Sequence, residues 1–360
     1  MTIRVSVVVP TYQRPALLKR CLAALLEQDF DPAAYEIIVA DDAACDETRQ
    51  LVEGHATHTP AAGCTYDTEF AAAAMPHRAR AQTLSALYSA ATGPAAMGPR
   101  LRYLPVTGAH GPAAARNAGW RAAAGSIIAF TDDDCVPEPE WLAAGVAALR
   151  DGAAGASGYV RVPLPDVPTD YQRDAAGLEA GEFVTANCFY RRDTLAAIGG
   201  FDERFTVAWR EDSDLLFTLI ERGERLVRAP DAVVVHPIRP AAWGISLRQQ
   251  RKSMFNALLY KKHPQLYRQR IQPAPPWRYY RIAGALLVAL AGMAVRRRGL
   301  ALGGLGTWAL LSGRFCAQRL RHTSHAPRHL AEMTVTSVLI PPLALFWRWR
   351  GGARFRVFFL

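Results

Sequence analysis

Three short apolar runs, each stopped abruptly by polar residues, constrain this chain more than any other feature. Arg4–Val9 (RVSVVV) runs into Pro10, Glu36–Ala40 (EIIVA) into Asp41 and Asp42, and Ser126–Phe130 (SIIAF) into Thr131 and Asp132–Asp134. Runs of this length rich in Val and Ile are the pattern of strands buried on both faces. A weaker run, Arg102–Val106, adds another strand. Between the runs the apolar period changes to three and four residues. Leu17, Leu18, Cys21, Leu22, Leu25 and Leu26 follow Pro15, an Ala-rich helix is expected over Ala113–Ala124 before Gly125, and another over Glu138–Leu149. Strand, helix, strand at this spacing means βαβ units and a mostly parallel α/β sheet. Ligands of such sheets bind beyond the carboxyl ends of the strands, and the polar residues fall there. A single Asp after a strand is ordinarily a turn or a helix cap; three coincident strand ends point to a site.

The 360 residues suffice for about two domains. With half of them apolar and 21% charged, the composition excludes a disordered or collagen-like chain. Six scattered Cys without a CxxC pair exclude a disulfide scaffold and a zinc ribbon, and fit a reducing compartment. The formal net charge of +10 hides a split. Residues 1–240 carry 22 Lys and Arg against 31 Asp and Glu, whereas residues 241–360 carry 20 against one acid, Glu332. An acidic body therefore bears a strongly basic tail, which calls for an anionic partner.

The apolar segments of the tail choose that partner. Ile282–Val295, Gly299–Gly313 and Thr334–Trp347 carry no charge. Trp277, Tyr279 and Tyr280 interleave with Arg278 and Arg281 before the first segment, and Trp347–Arg350 (WRWR) close the third. Aromatics and Arg at the ends of apolar runs suit a lipid headgroup boundary, so a membrane surface is expected and nucleic acid is not. A buried helical subdomain is the remaining reading. A spanning helix needs about 20 apolar residues, more than these runs offer. With a cytoplasmic body, one crossing would also place Arg296, Arg297 and Arg298 outside, against the positive-inside tendency. The expectation is segments that lie along or dip into the cytoplasmic leaflet, with a tight spanning hairpin as the alternative. Residues 241–281 read as basic amphipathic linker helices and 282–360 as a membrane-associated helical tail. Met1–Val9 runs straight into Pro10 and a polar turn, which does not read as a signal peptide.

Residues 54–100, rich in Ala, Gly and Pro, read as an insertion with a short helix near Arg80–Ala91, and His55, His58 and His77 within it as surface residues. No P-loop, no GxGxxG after a strand, no GxSxG and no HExxH is present.

The acids define a chemistry. Asp132 and Asp134, one residue apart on a turn, can hold a hard divalent cation, Mg²⁺ or Mn²⁺, with positions left for substrate phosphates. Gly111–Gly119 (GPAAARNAG) opens a helix whose N-terminus is an anion site, with Arg116 one turn in; a surface salt bridge is the competing reading for Arg116. Glu211 and Asp212 open a helix over Asp212–Arg222, where capping competes with a role as general base. His236, after a strand-like Ala232–Val235, is a candidate for metal or phosphate, against a purely structural role.

Six stretches in this order resemble glycosyltransferase family 2: VSVVVPTYQRP (5–15), EIIVADDAACDET (36–48), GPAAARNAGW (111–120), IIAFTDDDCVP (127–137), GGFDERF (199–205) and WREDSDLLFTL (209–219). The resemblance implies a GT-A fold over residues 1–240. It also implies inverting transfer of a sugar from a nucleoside-diphosphate sugar, usually with Mg²⁺ or Mn²⁺. It would make Pro10, Thr11, Tyr12 and Arg14 the frame of the nucleoside, Asp41 or Asp42 the contact to the base, and Arg116 the contact to the diphosphate. Asp132, Asp133 and Asp134 would carry the D-x-D motif, with Asp134 as the direct metal ligand. Asp212 of the Glu211–Asp212 pair would be the catalytic base, with Asn187, Gly200, Phe201 and Trp209 lining the donor–acceptor cleft. Two departures stand out: Ala43 and Ala44 replace a Gly-Ser pair usual after the second motif, and the 54–100 insertion is atypical. A QxxRW motif of processive synthases is not seen, which implies transfer of one sugar. The tail adds a lipid or lipid-linked hydroxyl as the expected acceptor. A nucleotidyltransferase on a related sheet and a non-catalytic membrane sensor of sugar nucleotides are the alternatives.

Overall fold

The computed structural model describes residues 2–57 and 98–359. The helix expected at Arg80–Ala91, with His58 and His77, lies outside the described residues. Eight strands form one sheet: β1 Val5–Thr11, β2 Tyr35–Asp41, β3 Arg100–Pro105, β4 Ile127–Phe130, β5 Val136–Pro137, β6 Gly155–Arg161, β7 Cys188–Arg191 and β8 Leu226–Val235. Their order is β3-β2-β1-β4-β7-β6-β8-β5. The first four are parallel, as the alternation of strands and helices requires. Beyond β4 the sheet turns mixed, because β7 runs antiparallel to both β4 and β6, and β5 antiparallel to β8. A purely parallel pattern was therefore legible only for the first half.

Strand β1 continues through Pro10 to Thr11 instead of stopping at the proline. The missing N–H is harmless there. Thr131 N donates to Val8 O and Asp42 N to Thr11 O, so even-numbered residues of β1 face β4, whose pairing ends at Val8. Pro10 thus removes no ladder bond. Helices Pro15–Leu26, Pro112–Arg121 and Trp141–Ala148 cover the sheet, with Leu18, Leu22, Leu25, Trp120 and Trp141 buried against it. At the amino ends of the strands, buried Glu36 accepts from Ser6 Oγ (2.7 Å), Ala124 N (2.7 Å) and Arg102 Nη1 (3.0 Å), tying β1, β2 and β3 together. The opposite edge is left to carry chemistry.

In the loop after β2 the backbone demand falls on Ala44, where the family usually has Ser, and not on Ala43, where it has Gly. Ala44 sits in the left-handed region at φ +48°, which disfavours any side chain with a Cβ by about 1–2 kcal/mol. Ala44→Gly is expected to stabilise the chain by about 0.5–1 kcal/mol, read as a raised midpoint in thermal unfolding without change of slope.

The tail forms three helices, Trp277–Ala294, Arg298–Leu320 and Pro327–Phe355, of 18, 23 and 29 residues. Each is longer than its uncharged run, since the flanking Trp, Tyr and Arg continue the helix. The first two make a tight hairpin: a Cβ on Gly292 would lie 2.4 Å from Ala301 N, and one on Gly304 2.5 Å from Ala289 N. Around the hairpin Leu287, Leu302 and Leu310 are 65%, 69% and 72% exposed, which does not fit a buried helical subdomain. Among the described residues, Pro327–Phe355 is the one helix long and apolar enough by length and composition to cross a membrane.

The third helix also belongs to the body. Trp347, Phe355 and Phe359 pack into the cluster of Phe205, Leu215 and Phe255. From the second tail helix Arg319 pairs with Asp170 at 2.7 Å, and from the third Glu332 accepts from Gly244 N at 2.7 Å. The expected boundary at 281/282 is therefore not a break in packing. Cys21, Cys45, Cys135, Cys188 and Cys316 are all unpaired thiols.

Candidate active site

The carboxyl ends of β1, β2 and β4 lie side by side, and their polar residues meet there. Thr11 Oγ1 donates to Asp133 Oδ2 at 2.7 Å, and Arg14 Nε lies 3.1 Å from the same oxygen. Burial pushes the Asp133 carboxyl up to about 7 despite the Arg14 charge. Pro10 and Thr11 are buried beside this contact, while Tyr12 projects outward, 53% exposed.

The two acids after β2 separate into distinct roles. Asp41 is fully buried and accepts from Ala43 N (3.0 Å), Cys45 N (2.8 Å) and Tyr103 Oη (3.1 Å). It closes its own turn. Asp42 accepts from Gly111 N at 2.9 Å and faces His110 Nδ1 at 2.9 Å. It thereby fixes the start of the Pro112–Arg121 helix.

One turn along that helix Arg116 joins the motifs. Its Nη2 donates to Asp132 Oδ1 at 2.8 Å and its Nη1 to Glu211 Oε1 at 2.9 Å. Arg116 is buried, so the surface salt-bridge reading fails. Its guanidinium lies 5.8 Å from the Phe201 ring centre, in range of a cation–π contact. Phe201 thus supports Arg116 from beneath rather than lining a cleft wall, being only 3% exposed.

Asn117 explains why Phe201 sits there. Its Oδ1 accepts from Phe201 N (2.9 Å) and Trp120 Nε1 (2.9 Å), and its Nδ2 donates to Phe201 O and Glu203 Oε1, both at 2.8 Å. Gly200, at φ +80°, passes so close that a Cβ would come within 2.4 Å of Asn117 Oδ1. Gly200 is therefore a position where only Gly fits against Asn117.

Asn187 is likewise corrected. It is buried, accepts from Trp141 Nε1 at 2.9 Å, and donates to Tyr159 O (2.9 Å) and Ala232 O (2.8 Å). All of this capacity holds β6, β7 and β8 to a covering helix, so Asn187 is a core staple. Trp209 does stand open, 37% exposed.

Glu211 and Asp212 begin the helix Glu211–Glu221, one residue earlier than expected. Glu211 is buried, and its Oε2 has no hydrogen-bond partner among the described residues. Asp212 Oδ1 accepts from Ser213 N at 2.6 Å. Behind them Asp214 pairs with Lys262 (2.7 Å) and His263 (3.3 Å), anchoring the helix on its far side. Burial raises both carboxyls of the pair, Glu211 up to about 7. Between the ordinary glutamate range and about 7 the folded chain keeps a proton the unfolded chain has lost. Glu211 therefore weakens the fold as pH rises through that window. If turnover needs Glu211 ionised, kcat/KM is expected to rise about tenfold per pH unit below about 7 and to level off above it, measured as nucleotide release across pH 5–9. Glu211→Gln, which cannot take up that charge, should then stay slow across the whole range, without the rise near 7.

Asp134 is buried, and its Oδ2 makes no hydrogen bond, although Arg239 Nε lies 2.8 Å away. His236 Nε2 is 3.7 Å from Asp134 Oδ1. Asp134, Cys135 and His236 bring ligand atoms within 4.8 Å of one another. Burial keeps the Cys135 thiol protonated, which leaves the carboxylate and the imidazole as donors for a hard cation. Sequence reasoning missed Arg239, Asn117, Lys262 and His263. Asn117 alone carried a signal, as the residue after Arg116 in the third motif.

The sequence matches the profile "Glycosyltransferase like family 2" over residues 3–256 and "Glycosyl transferase family group 2" over residues 166–348. It is 25% identical over 260 residues to "Glycosyltransferase AglE" of Haloferax volcanii, covering 68% of this chain and 70% of that protein. It is 30% identical over 229 residues to the "Pre-mycofactocin glycosyltransferase" of Mycobacterium tuberculosis, covering 59% of this chain and 46% of that protein. In fold it is similar to a mannosyltransferase of Pyrobaculum calidifontis solved with GDP-Man and Mn²⁺, at a TM-score of 0.50 and 19% identity, over 99% of this chain and 88% of the other.

Proposed function

This chain belongs to glycosyltransferase family 2 and has the α/β fold of its GT-A members, and from that premise we propose an inverting enzyme that moves one sugar from a nucleoside-diphosphate sugar to a hydroxyl on a lipid or lipid-linked acceptor. The observation that carries this reading is Arg116. One buried guanidinium holds Asp132 of the D-x-D motif and Glu211 of the Glu-Asp pair at 2.8 and 2.9 Å. Donor-side and acceptor-side acids are thereby placed around a single centre of positive charge.

Asp134, whose Oδ2 is paired with Arg239 while its Oδ1 faces the His236 imidazole, offers with that imidazole a donor set that fits a divalent cation. Asp134 and His236 would hold Mg²⁺ or Mn²⁺ beside Asp132, and the bound ion would neutralise charge on the leaving diphosphate. The chain's own residues do the rest. Thr11, Arg14 and Asp133 fix the loop after β1 against which the nucleoside rests. Arg116 stabilises the charge that develops on the diphosphate. Asp212, with Oδ1 held by Ser213, takes the proton of the acceptor hydroxyl on Oδ2 as that oxygen attacks the anomeric carbon. Attack opposite the departing diphosphate inverts the configuration.

The tail supports the acceptor class. Twenty basic residues, one acid and a hairpin with exposed leucines suit anionic headgroups over a hydrocarbon boundary. An enzyme held at the cytoplasmic leaflet meets lipid hydroxyls at raised local concentration.

UDP-glucose, UDP-N-acetylglucosamine and GDP-mannose, supplied with Mg²⁺ or Mn²⁺ and with or without anionic vesicles, form the test. At least one donor should release its nucleoside diphosphate faster when lipid is present. Chelation should lower the rate by about a hundredfold or more, with recovery on adding either ion. Full activity after chelation would remove the metal from the scheme, and indifference to lipid would remove the lipid acceptor.

A further inference from the structure

The turn that presents Glu211 and Asp212 is held from outside the sheet. Asn256 Oδ1 accepts two hydrogen bonds at once, from Trp209 Nε1 at 3.0 Å and from Arg210 Nε at 2.9 Å. The Arg210 guanidinium stacks over the Trp209 ring, 4.6 Å from its centre. Arg210 itself has φ +77° and is the residue from which the Glu211–Glu221 helix starts. A side chain with a Cβ stays in that region only when its surroundings hold it there, and Asn256 Oδ1 is the one side-chain atom that binds both residues of the turn.

Asn256 lies on the helix Phe255–Lys262, which is seated in turn by the last tail helix. A Cβ on Gly351 would come within 2.4 Å of Met254 O, so the two backbones touch. Phe255 meets the Phe355 ring at 5.9 Å, and Lys261 Nζ donates to Phe355 O at 2.9 Å. Gly351, Met254, Asn256, Arg210 and Glu211 thus form a run of chain neighbours and direct contacts from the tail to the acids.

We infer that Asn256 is a positioning residue: its side-chain oxygen seats the Trp209–Arg210 turn, and the last tail helix, through Gly351, sets where that oxygen sits. The seat needs an acceptor atom, since both partners are donors. Asp can therefore replace Asn, and Ala cannot. The donor side on β1 and β4 takes no part in these contacts and meets the turn only through Arg116, which keeps its second partner, Asp132, when Glu211 shifts. Loosening the seat should lower turnover while donor affinity stays. Only this kinetic consequence rests on the transferase reading above.

The experiment uses the full chain in phosphatidylglycerol-containing vesicles. Amide hydrogen exchange over residues 208–215 should rise about tenfold in Asn256→Ala and stay near wild type in Asn256→Asp. Gly351→Ala should produce a smaller rise in the same amides, absent when Asn256 is already Ala. With the panel donor that the wild type turns over fastest, Asn256→Ala should lower kcat by about 10–100-fold with donor KM within about twofold, and Asn256→Asp should recover most of the loss. Unchanged exchange in Asn256→Ala, or an Asn256→Asp variant as loose as Asn256→Ala, overturns the inference. So does a donor KM that rises in step with the loss of kcat. A wild type silent toward the whole panel, with the exchange pattern as expected, supports the seat and removes the transferase reading alone.

Discussion

Asp212→Asn lowers kcat by about three to four orders of magnitude while donor KM moves little. The amide keeps the size of the carboxylate, and Oδ1 can still accept from Ser213 N, so the start of the helix is preserved. What disappears is the basic oxygen. General-base contributions of about 10²–10⁴ are ordinary, and a direct displacement by a neutral hydroxyl stands at the upper end. In the proposed scheme the donor contacts lie on β1, β4 and Arg116, so KM is expected to stay near its wild-type value. Release of nucleoside diphosphate under saturating donor measures it. An Asp212→Asn enzyme within about tenfold of wild type would take the base away from this residue.

Replacing Arg116 with Met has a double effect, on stability and on activity. Two carboxylates, Asp132 and the buried Glu211, lose their shared partner. Breaking one side of a buried ion pair destabilises by about 3–5 kcal/mol, because the remaining charge stays desolvated. Glu211 can escape part of that by holding its proton, since burial already raises it to about 7. The loss in thermal midpoint should therefore be larger at pH 8 than at pH 6. Activity should fall by about a thousandfold or more at either pH, because stabilisation of the leaving diphosphate goes with the guanidinium. Arg116→Lys should restore part of the stability and little of the rate, as one ammonium cannot bridge both acids in the same geometry. Equal midpoints at the two pH values would mean that Glu211 is not the group left uncovered.

Much of the α/β body could be read from residue order alone. The runs into Pro10, Asp41 and Asp132 became β1, β2 and β4 within one or two residues, because a fully buried parallel strand leaves an unbroken apolar signature. The convergence of Asp132, Arg116 and Glu211 was legible as motif positions on a shared sheet edge. What was not legible depends on partners far away in the chain. Asn187 looks like any polar residue before a strand until Trp141 and Ala232 are seen to satisfy it. Asp41 and Asp42 are identical in sequence terms, and only the direction of the turn makes one a bracket for the loop and the other a bracket for the next helix. The mixed half of the sheet was hidden because β7 is short and enters from a loop with no periodic pattern. Tail helix lengths were underestimated for a different reason: uncharged runs end at Arg, but Arg and Trp are acceptable inside a helix whose ends reach polar surroundings.

The third tail helix and the residues after it close the same apolar cluster that backs the Glu211–Glu221 helix, through Trp347, Phe355 and Phe359. Trimming the chain near residue 281 to obtain a water-soluble fragment would uncover Met254, Phe255 and Leu258 and unseat Asn256. Such a fragment should aggregate or lie dormant even with every motif intact. Tail and body are packed as one object, and purification has to carry both.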